Sequence, residues 1–294
     1  MHKYMRAIGF SKLNNRKDEK KLITDVIVNS SKRNYTTYSD TTLLAQFDKE
    51  FAPGIGIAVC GEFDEEENFT YDYYYPYLKG SEVSSVEDIT IERHAEKESY
   101  AGICDDLKVG VSLIFYLQDI ITYVKAMNTG LLPIRGTTLT LAGLSIKGSI
   151  ILPIAKNEDD IQKSHKACIK RERLLAAARG GDEEAIESLT IDDMDKYTLL
   201  SKKIHEEDVL TLVDTYFMPY GVECDIYSVL GEIVECESIT NSLTKEKIWR
   251  LRISSNELCL DVCINENDLY GEPCIGRRFK GVIWLQGSIN YPEL

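Results

Sequence analysis

The first half of the chain is dominated by short apolar and aromatic runs with a period of two. LLAQF (43–47), GIGIAVCGEF (54–63), NFTYDYYYPYL (68–78), DITIERHA (88–95), GVSLIFYL (110–117), TTLTLAGL (137–144) and GSIILPI (148–154) are bounded by Gly, Asn and Asp turn signals and predict strands. One earlier segment has a helical period. Leu22, Ile23, Val26 and Ile27 share a face between Lys20, Lys21 and Asp25, which predicts a helix over 17–28. SLIFYLQDIITYVKAM (112–127) fits a strand or a helix, because periodicity does not separate the two for an apolar run.

The pattern changes between 156 and 218, where there is no Pro and helix formers prevail. Gly180 and Gly181 stop a first helix after Arg179, and Asp182 and Thr190 are natural N-caps for two more. From Pro219 the strand pattern returns. VECDIYSVL, EIVECESI, KIWRLRIS and ELCLDVCI alternate or are β-branched, and Gly231 is placed to bend the first pair. NENDLYGEP reads as a short helical turn or a loop, and GRRFKGVIWLQGSIN closes the chain as a strand.

These elements predict an α+β protein: a β-rich N-terminal domain (1–155), a helical connector (156–218) and a C-terminal β domain (219–294). The last is an OB-like small barrel or an antiparallel sheet. It is one strand short of closure, so the missing edge must come from the connector or another strand of the chain. GLSIKGSIILPI (143–154) and GRRFKGVIWLQGSIN (276–290) match at Gly143, Lys147, Gly148, Ile150 and Leu152 against Gly276, Lys280, Gly281, Ile283 and Leu285. The match predicts equivalent strands in two related sheets if the modules arose by duplication, and two unrelated glycine hairpins otherwise.

Composition narrows the function classes. The 294 residues are 44% hydrophobic, which argues against extensive disorder, and they carry a net charge of −14. Residues 1–40 hold nine Lys and Arg against four acids, whereas 41–294 hold 25 against 44. So acidic a body repels nucleic acid and anionic membranes over most of its surface. The longest apolar stretch, 109–124, is interrupted by Gln118 and Asp119 and is too short to cross ~30 Å of hydrocarbon. The N-terminus has no apolar run of signal-peptide length. A cytoplasmic location is expected, with the eight cysteines as reduced thiols.

Candidate chemistry is sparse. No phosphate-binding glycine loop, nucleophile elbow or zinc-protease motif occurs, so no cofactor is expected. The one suggestive nucleophile and base are Cys104 and His94 in ERHAEKESYAGICDD, with Asp105 or Asp106 to orient the imidazole; the plainer reading puts Cys104 in the core. Cys259 and Cys263, four apart on a strand, stand ~13 Å apart at ~3.3 Å per residue, too far to share one zinc ion. No metal site is expected.

Two groups of residues are candidate binding surfaces. Arg250 and Arg252 share one strand face. Arg278 and Lys280 lie with Trp284 and Gln286 on a face of the last strand, as in single-strand binders, although residues 219–294 hold seven basic and twelve acidic residues. Tyr73 and Tyr75 in YDYYYPY share a face with Tyr71 and Tyr77, and Pro76 marks an edge strand open to a partner. Trp284 itself is expected to be covered by the helices of 183–218.

MHKYMRAIGFS, YAGICDDLKVGVSLIFYLQ, EAIESLTIDDMDKY, FMPYGVECD and GRRFKGVIWLQG resemble an uncharacterised bacterial family catalogued only as a domain of unknown function. The resemblance runs along essentially the whole chain. It implies a stand-alone protein of Gram-positive type bacteria and carries no activity, cofactor or catalytic residue. The expectation is therefore a non-catalytic binding or adaptor protein built from two β modules, with a protein or small-molecule partner and no nucleic acid or membrane. The alternatives are a thiol enzyme using Cys104 and His94, or single-stranded nucleic-acid binding by the C-terminal domain.

Overall fold

A computed structural model describes residues 2–13, 15–37, 43–93, 99–106, 112–130, 136–154, 158–203, 210, 213–221, 225–256 and 258–292. The chain opens with a 3-10 turn (Lys3–Ile8) and helix α1 (Arg16–Val28), whose N-cap Asn15 accepts from the Asp18 backbone N–H. Strands β1 (Lys32–Thr37), β2 (Leu43–Ala52), β3 (Ile55–Phe63) and β4 (Phe69–Leu78) form one antiparallel sheet in chain order. Pro76 lies on the edge strand of that sheet, as its missing N–H requires.

β5 (Ile89–Arg93), β6 (Tyr100–Cys104) and β7 (Leu113–Leu117) form an antiparallel meander. The ambiguous segment 112–127 is both of its readings in turn, because Gln118 and Asp119 end β7 and helix α2 (Ile120–Asn128) follows. The two predicted strands 137–144 and 148–154 are one continuous strand, β8 (Thr138–Ile151).

Helices α3 (Glu158–Arg179) and α4 (Glu183–Lys203) fill the predicted helical stretch and pack against each other. Gly181 takes φ +86° at the break, and Asp182 Oδ1 accepts from the N–H groups of Glu184 and Ala185. Thr190 does not begin a third helix. It lies inside α4, where its hydroxyl donates to the Ile186 carbonyl at 2.8 Å, the local alternative open to a mid-helix Thr.

The remaining strands are β9 (Tyr216–Pro219), β10 (Ile226–Thr240), β11 (Lys247–Ser255), β12 (Leu258–Asn265), β13 (Leu269–Tyr270) and β14 (Arg278–Asn290). β10, β11 and β12 are an antiparallel meander and β14 returns beside β10. β8 closes the ring, parallel to β12 and antiparallel to β14. The result is a closed five-stranded barrel whose fifth strand lies upstream of the helices. β7 adds the meander to the outside of β14, and the four-stranded sheet stands separately.

The matched segments 143–154 and 276–290 therefore do not occupy equivalent places in two sheets. They run side by side in one barrel, with Gly148 opposite Gly281.

Strand alternation divides the apolar residues. Leu139, Leu141, Leu251, Val262, Phe279 and Ile283 fill the barrel. A second cluster, with Tyr4, Ile8, Val26, Ile57 and Trp284, runs from the N-terminal turn and α1 through the four-stranded sheet to the barrel's outer wall. Trp284 is only 5% exposed, but its cover differs from that expected. Tyr4 stacks on it at 5.3 Å, His2 and Tyr116 lie at 4.8 and 5.1 Å, and its indole N–H donates to Asp225 Oδ2 at 2.6 Å. The opening turn, far away in sequence, supplies the apolar cover that the indole requires.

Candidate functional site

Gln46, Asp48 and Glu50 of β2 lie on the same face of the sheet as Tyr73, Tyr75 and Tyr77 of β4, the face turned toward the barrel. A register shift between Cys60 and Gly61 makes Asp72 an extra residue in β4, so the alternation expected from Tyr71 onward breaks there. Gly56 lets Tyr77 cross β3, since a Cβ at that position would stand 2.6 Å from the Tyr77 hydroxyl.

The edge of β4 is sealed by two buried amides. Gln118 Nε2 donates to the Leu78 carbonyl at 2.9 Å and to Gln286 Oε1 at 2.8 Å, while Gln286 Nε2 donates to the Pro76 carbonyl at 2.8 Å. Ser288 Oγ donates to Gln118 Oε1 and the Tyr75 hydroxyl to the Gln118 carbonyl. Burial of so many polar groups is stable only because they satisfy one another.

Above this network, between the sheet and the barrel rim, lies a polar cleft of about 230 Å³. Asp48, Tyr75 and Tyr77 contribute from the sheet, Gln118 and Asp119 from the β7–α2 junction, and Thr140, Ser288 and Asn290 from the barrel. Asp48 is buried, and Gln46 Nε2 donates to its Oδ1 at 2.8 Å. Loss of hydration raises the Asp48 pKa above the ordinary carboxylate value, against the opposing pull of Gln46, Lys32 and Lys79. Asp119 is the N-cap of α2, yet its side chain makes no capping bond. Tyr77 is 4% exposed, and its hydroxyl has no hydrogen-bond partner among the described residues.

A second hollow of about 540 Å³ lies between α1 and the β10–β11 turn and is lined by Phe10, Leu13, Leu22 and Leu243. Its carboxylates are already engaged. Asp25 pairs with Lys49 at 2.6 Å, and Glu246 accepts from Ser11 and Asn265.

The residues singled out from the sequence are dispersed. Cys104 ends β6 in the core, its thiol donating to Ser85 Oγ at 3.6 Å and pushed up to about 11 by burial. Asp105 accepts from the Ser112 hydroxyl, and His94 lies outside the described residues. Arg250 reaches the Pro53 carbonyl at 2.9 Å. Arg252 pairs with Glu82 and Glu235 at 2.8 Å and with Asp261 at 3.4 Å.

Arg278 is buried and donates to the backbone carbonyls of Leu152, Leu210, Val213 and Asp214, clasping the chain on both sides of the helices. Lys280 is half-buried on β14. Of the tyrosines, Tyr75 packs on Tyr116 at 4.8 Å and lines the cleft, whereas Tyr73 neighbours Cys60.

Sequence reasoning missed Asp48 and Gln46. In LLAQFDKEF they alternate with apolar residues and so resemble a solvated face. The signal available was the polar pair Gln118–Asp119 inside an apolar run. Among the described residues no three His, Cys, Asp or Glu side chains gather as a metal site, and no helix is long and apolar enough to cross a membrane.

Fold and cleft together define an α+β protein built on a closed five-stranded barrel, with an accessory sheet held against it across a polar seam. The chain belongs to the DUF3881 family, described as a domain of unknown function with an E. rectale gene description, whose model matches residues 5–287. No curated protein and no solved structure matches the chain.

Proposed function

We propose that the protein is a non-catalytic binding protein whose small-molecule ligand occupies the cleft between the four-stranded sheet and the barrel rim. The observation that carries this reading is a buried carboxyl, Asp48, set in a polar cavity between the sheet and the barrel. Convergent polar groups on a rigid frame are what a ligand site requires. The six cysteines described are free thiols, which supports a cytoplasmic setting.

The other readings have less support. A thiol raised to about 11 is almost entirely protonated at neutral pH and is a poor nucleophile, which argues against Cys104. We read the barrel as OB-like, with its closing strand β8 supplied from upstream. In that fold the second and third strands bind nucleic acid. Here those strands are β11 and β12, and Arg250, Arg252 and Asp261 on their outer face bond to Pro53, Glu82 and Ser81 of the N-terminal half.

The test is retention of a metabolite by the full-length protein purified from its own host. Thr140→Trp should fill the cleft and release whatever the native protein retains, as measured by mass spectrometry of denatured extracts. An identical extract from both proteins overturns the reading.

A further inference from the structure

We propose that the protein assembles head to tail, with α4 of one copy seated in the hollow between α1 and the β10–β11 turn of the next. α4 supplies one half of the contact. Asp192 pairs with Lys170 of α3 at 3.6 Å and Ala185 is buried, so that side of α4 packs on α3. Glu183, Glu187, Ile191 and Met194 lie on the opposite side at helical spacing, and Ile191 and Met194 are 53% and 66% exposed. Among the described residues α3 and α4 pack chiefly on each other. The outer side of α4 is therefore an acidic helix face with apolar side chains left uncovered.

The hollow supplies the other half. Its apolar lining runs from buried Phe10 and Leu22 out to Leu243, which is 56% exposed. About 540 Å³ is the room of about eighteen waters at ~30 Å³ each, enough for more than one side chain. Each acid of the lining is already held: Asp18 accepts from Asn15 at 2.6 Å, Asp25 pairs with Lys49, and Glu246 accepts from Ser11 and Asn265. The lysines are not. Lys12 in the lining and Lys17 and Lys20 along α1 are exposed and make no ion pair among the described residues, while Lys21 stands 4.0 Å from Asp18.

Charge selects the pairing. Each copy carries −14, so two copies repel unless basic surface meets acidic surface. Hollow against hollow would set lysines on lysines, and α4 against α4 would set acids on acids. α4 in the hollow brings opposite charges together and covers both apolar surfaces, as an amphipathic helix does in a groove. Among the described residues, none from α3 or α4 lines the hollow of its own chain. A contact between two different patches repeats from copy to copy, closing into a ring or continuing as a chain.

Analytical ultracentrifugation of the full-length protein over about 5–200 µM, the range of weak micromolar contacts, tests this with two variants. Ile191→Gln with Met194→Gln removes the apolar side chains of α4 and keeps good helix formers, whereas Leu243→Glu puts an acid in the hollow. The native protein should self-associate, and each variant alone should associate at least tenfold more weakly. Mixed one to one, the variants should form a two-chain species that neither forms alone, because one still has its α4 and the other its hollow. That recovery also shows that both variants are folded. A native protein that stays monomeric throughout, a variant that associates like the native protein, or a mixture no larger than its separate components overturns the proposal.

Discussion

Gly148 of β8 and Gly281 of β14 face each other across an antiparallel ladder, and the Phe279 ring occupies the space that both leave empty. A Cβ on Gly148 would stand 2.5 Å from that ring, and one on Gly281 2.6 Å. The two Lys-Gly dipeptides resemble each other because each strand needs a residue without a side chain where the barrel closes. Gly148→Ala and Gly281→Ala should each destabilise by ~1–3 kcal/mol through overpacking. Combining Gly148→Ala with Phe279→Leu should cost less than the sum of the two changes, as measured by denaturant unfolding.

Trp284 reports on the N-terminal turn. Removing residues 1–8 strips away His2 and Tyr4, so Trp284 emission should shift to the red and the protein should lose stability. Trp284→Ala should cost ~3–5 kcal/mol, as for other large buried aromatics. Emission unchanged by the truncation would show that other residues cover the indole.

Asp48 should make stability depend on pH in the direction opposite to that of a salt-bridged acid. Its folded pKa lies above the unfolded value, so the folded state binds the extra proton. Stability is then full below the unfolded pKa of ~3.9 and falls as pH rises through the window up to the raised folded value. Lys32 and Lys79 narrow that window, and Asp119 widens it. Asp48→Asn should therefore raise Tm at pH 7 by about 2–4 °C, the effect of ~1 kcal/mol in a chain of this size, and leave Tm at pH 3.5 nearly unchanged. Stabilisation coupled to weaker ligand binding is the signature of a carboxyl retained for function.

The cysteines should divide by burial. Burial pushes Cys104 up to about 11 and Cys263 up to about 12, and raises Cys60 as well, whereas Cys236, Cys259 and Cys274 are partly accessible. Among the six described cysteines, iodoacetamide at pH 8 followed by peptide mapping should label Cys236, Cys259 and Cys274 and spare Cys60, Cys104 and Cys263 in the native state. Selective labelling of Cys104 near pH 6 would instead establish a low-pKa thiol there.

Arg278→Met should free the chain on both sides of the helices, because four carbonyls lose their shared donor. A loss of ~1–3 kcal/mol is expected from the charge-assisted hydrogen bonds given up. Limited proteolysis should cut the variant faster between 152 and 214.

Local pattern carried much of this fold. α1, the two helices of 158–203, β2 to β4 and the β10–β12 meander follow from periodicity and from Gly and Asn punctuation, and the barrel is one strand short when counted from 219 onward. The identity of the missing strand is not in the pattern. Alternation in TTLTLAGLSIKGSII gives β8 its faces but says nothing of its partners, which lie more than a hundred residues downstream. The cleft was hidden for a related reason. Gln46 and Asp48 are polar positions in an alternating strand, and only the docking of that strand's polar face against Gln118 and the barrel rim buries them. Arg278 and Arg252 have the same basic character in sequence as a phosphate-binding arginine, and what distinguishes them is the carbonyls and carboxylates that tertiary folding brings to them.

The closing strand also sets a timetable for synthesis. Arg278 follows Ile151 by 127 positions, the interval between the end of β8 and the first residue of the β14 strand that pairs with it. At ~5–20 residues per second, a ribosome takes roughly 6–25 s to cover that distance. One edge of this fourteen-residue strand stays open for all of that time and the other until β12 is made, each a template for pairing with any other nascent chain. The helices translated in between postpone closure without covering those edges. A permuted gene that encodes 138–151 after 290 would remove the wait altogether, and the yield of soluble protein from slow and fast translation would then converge.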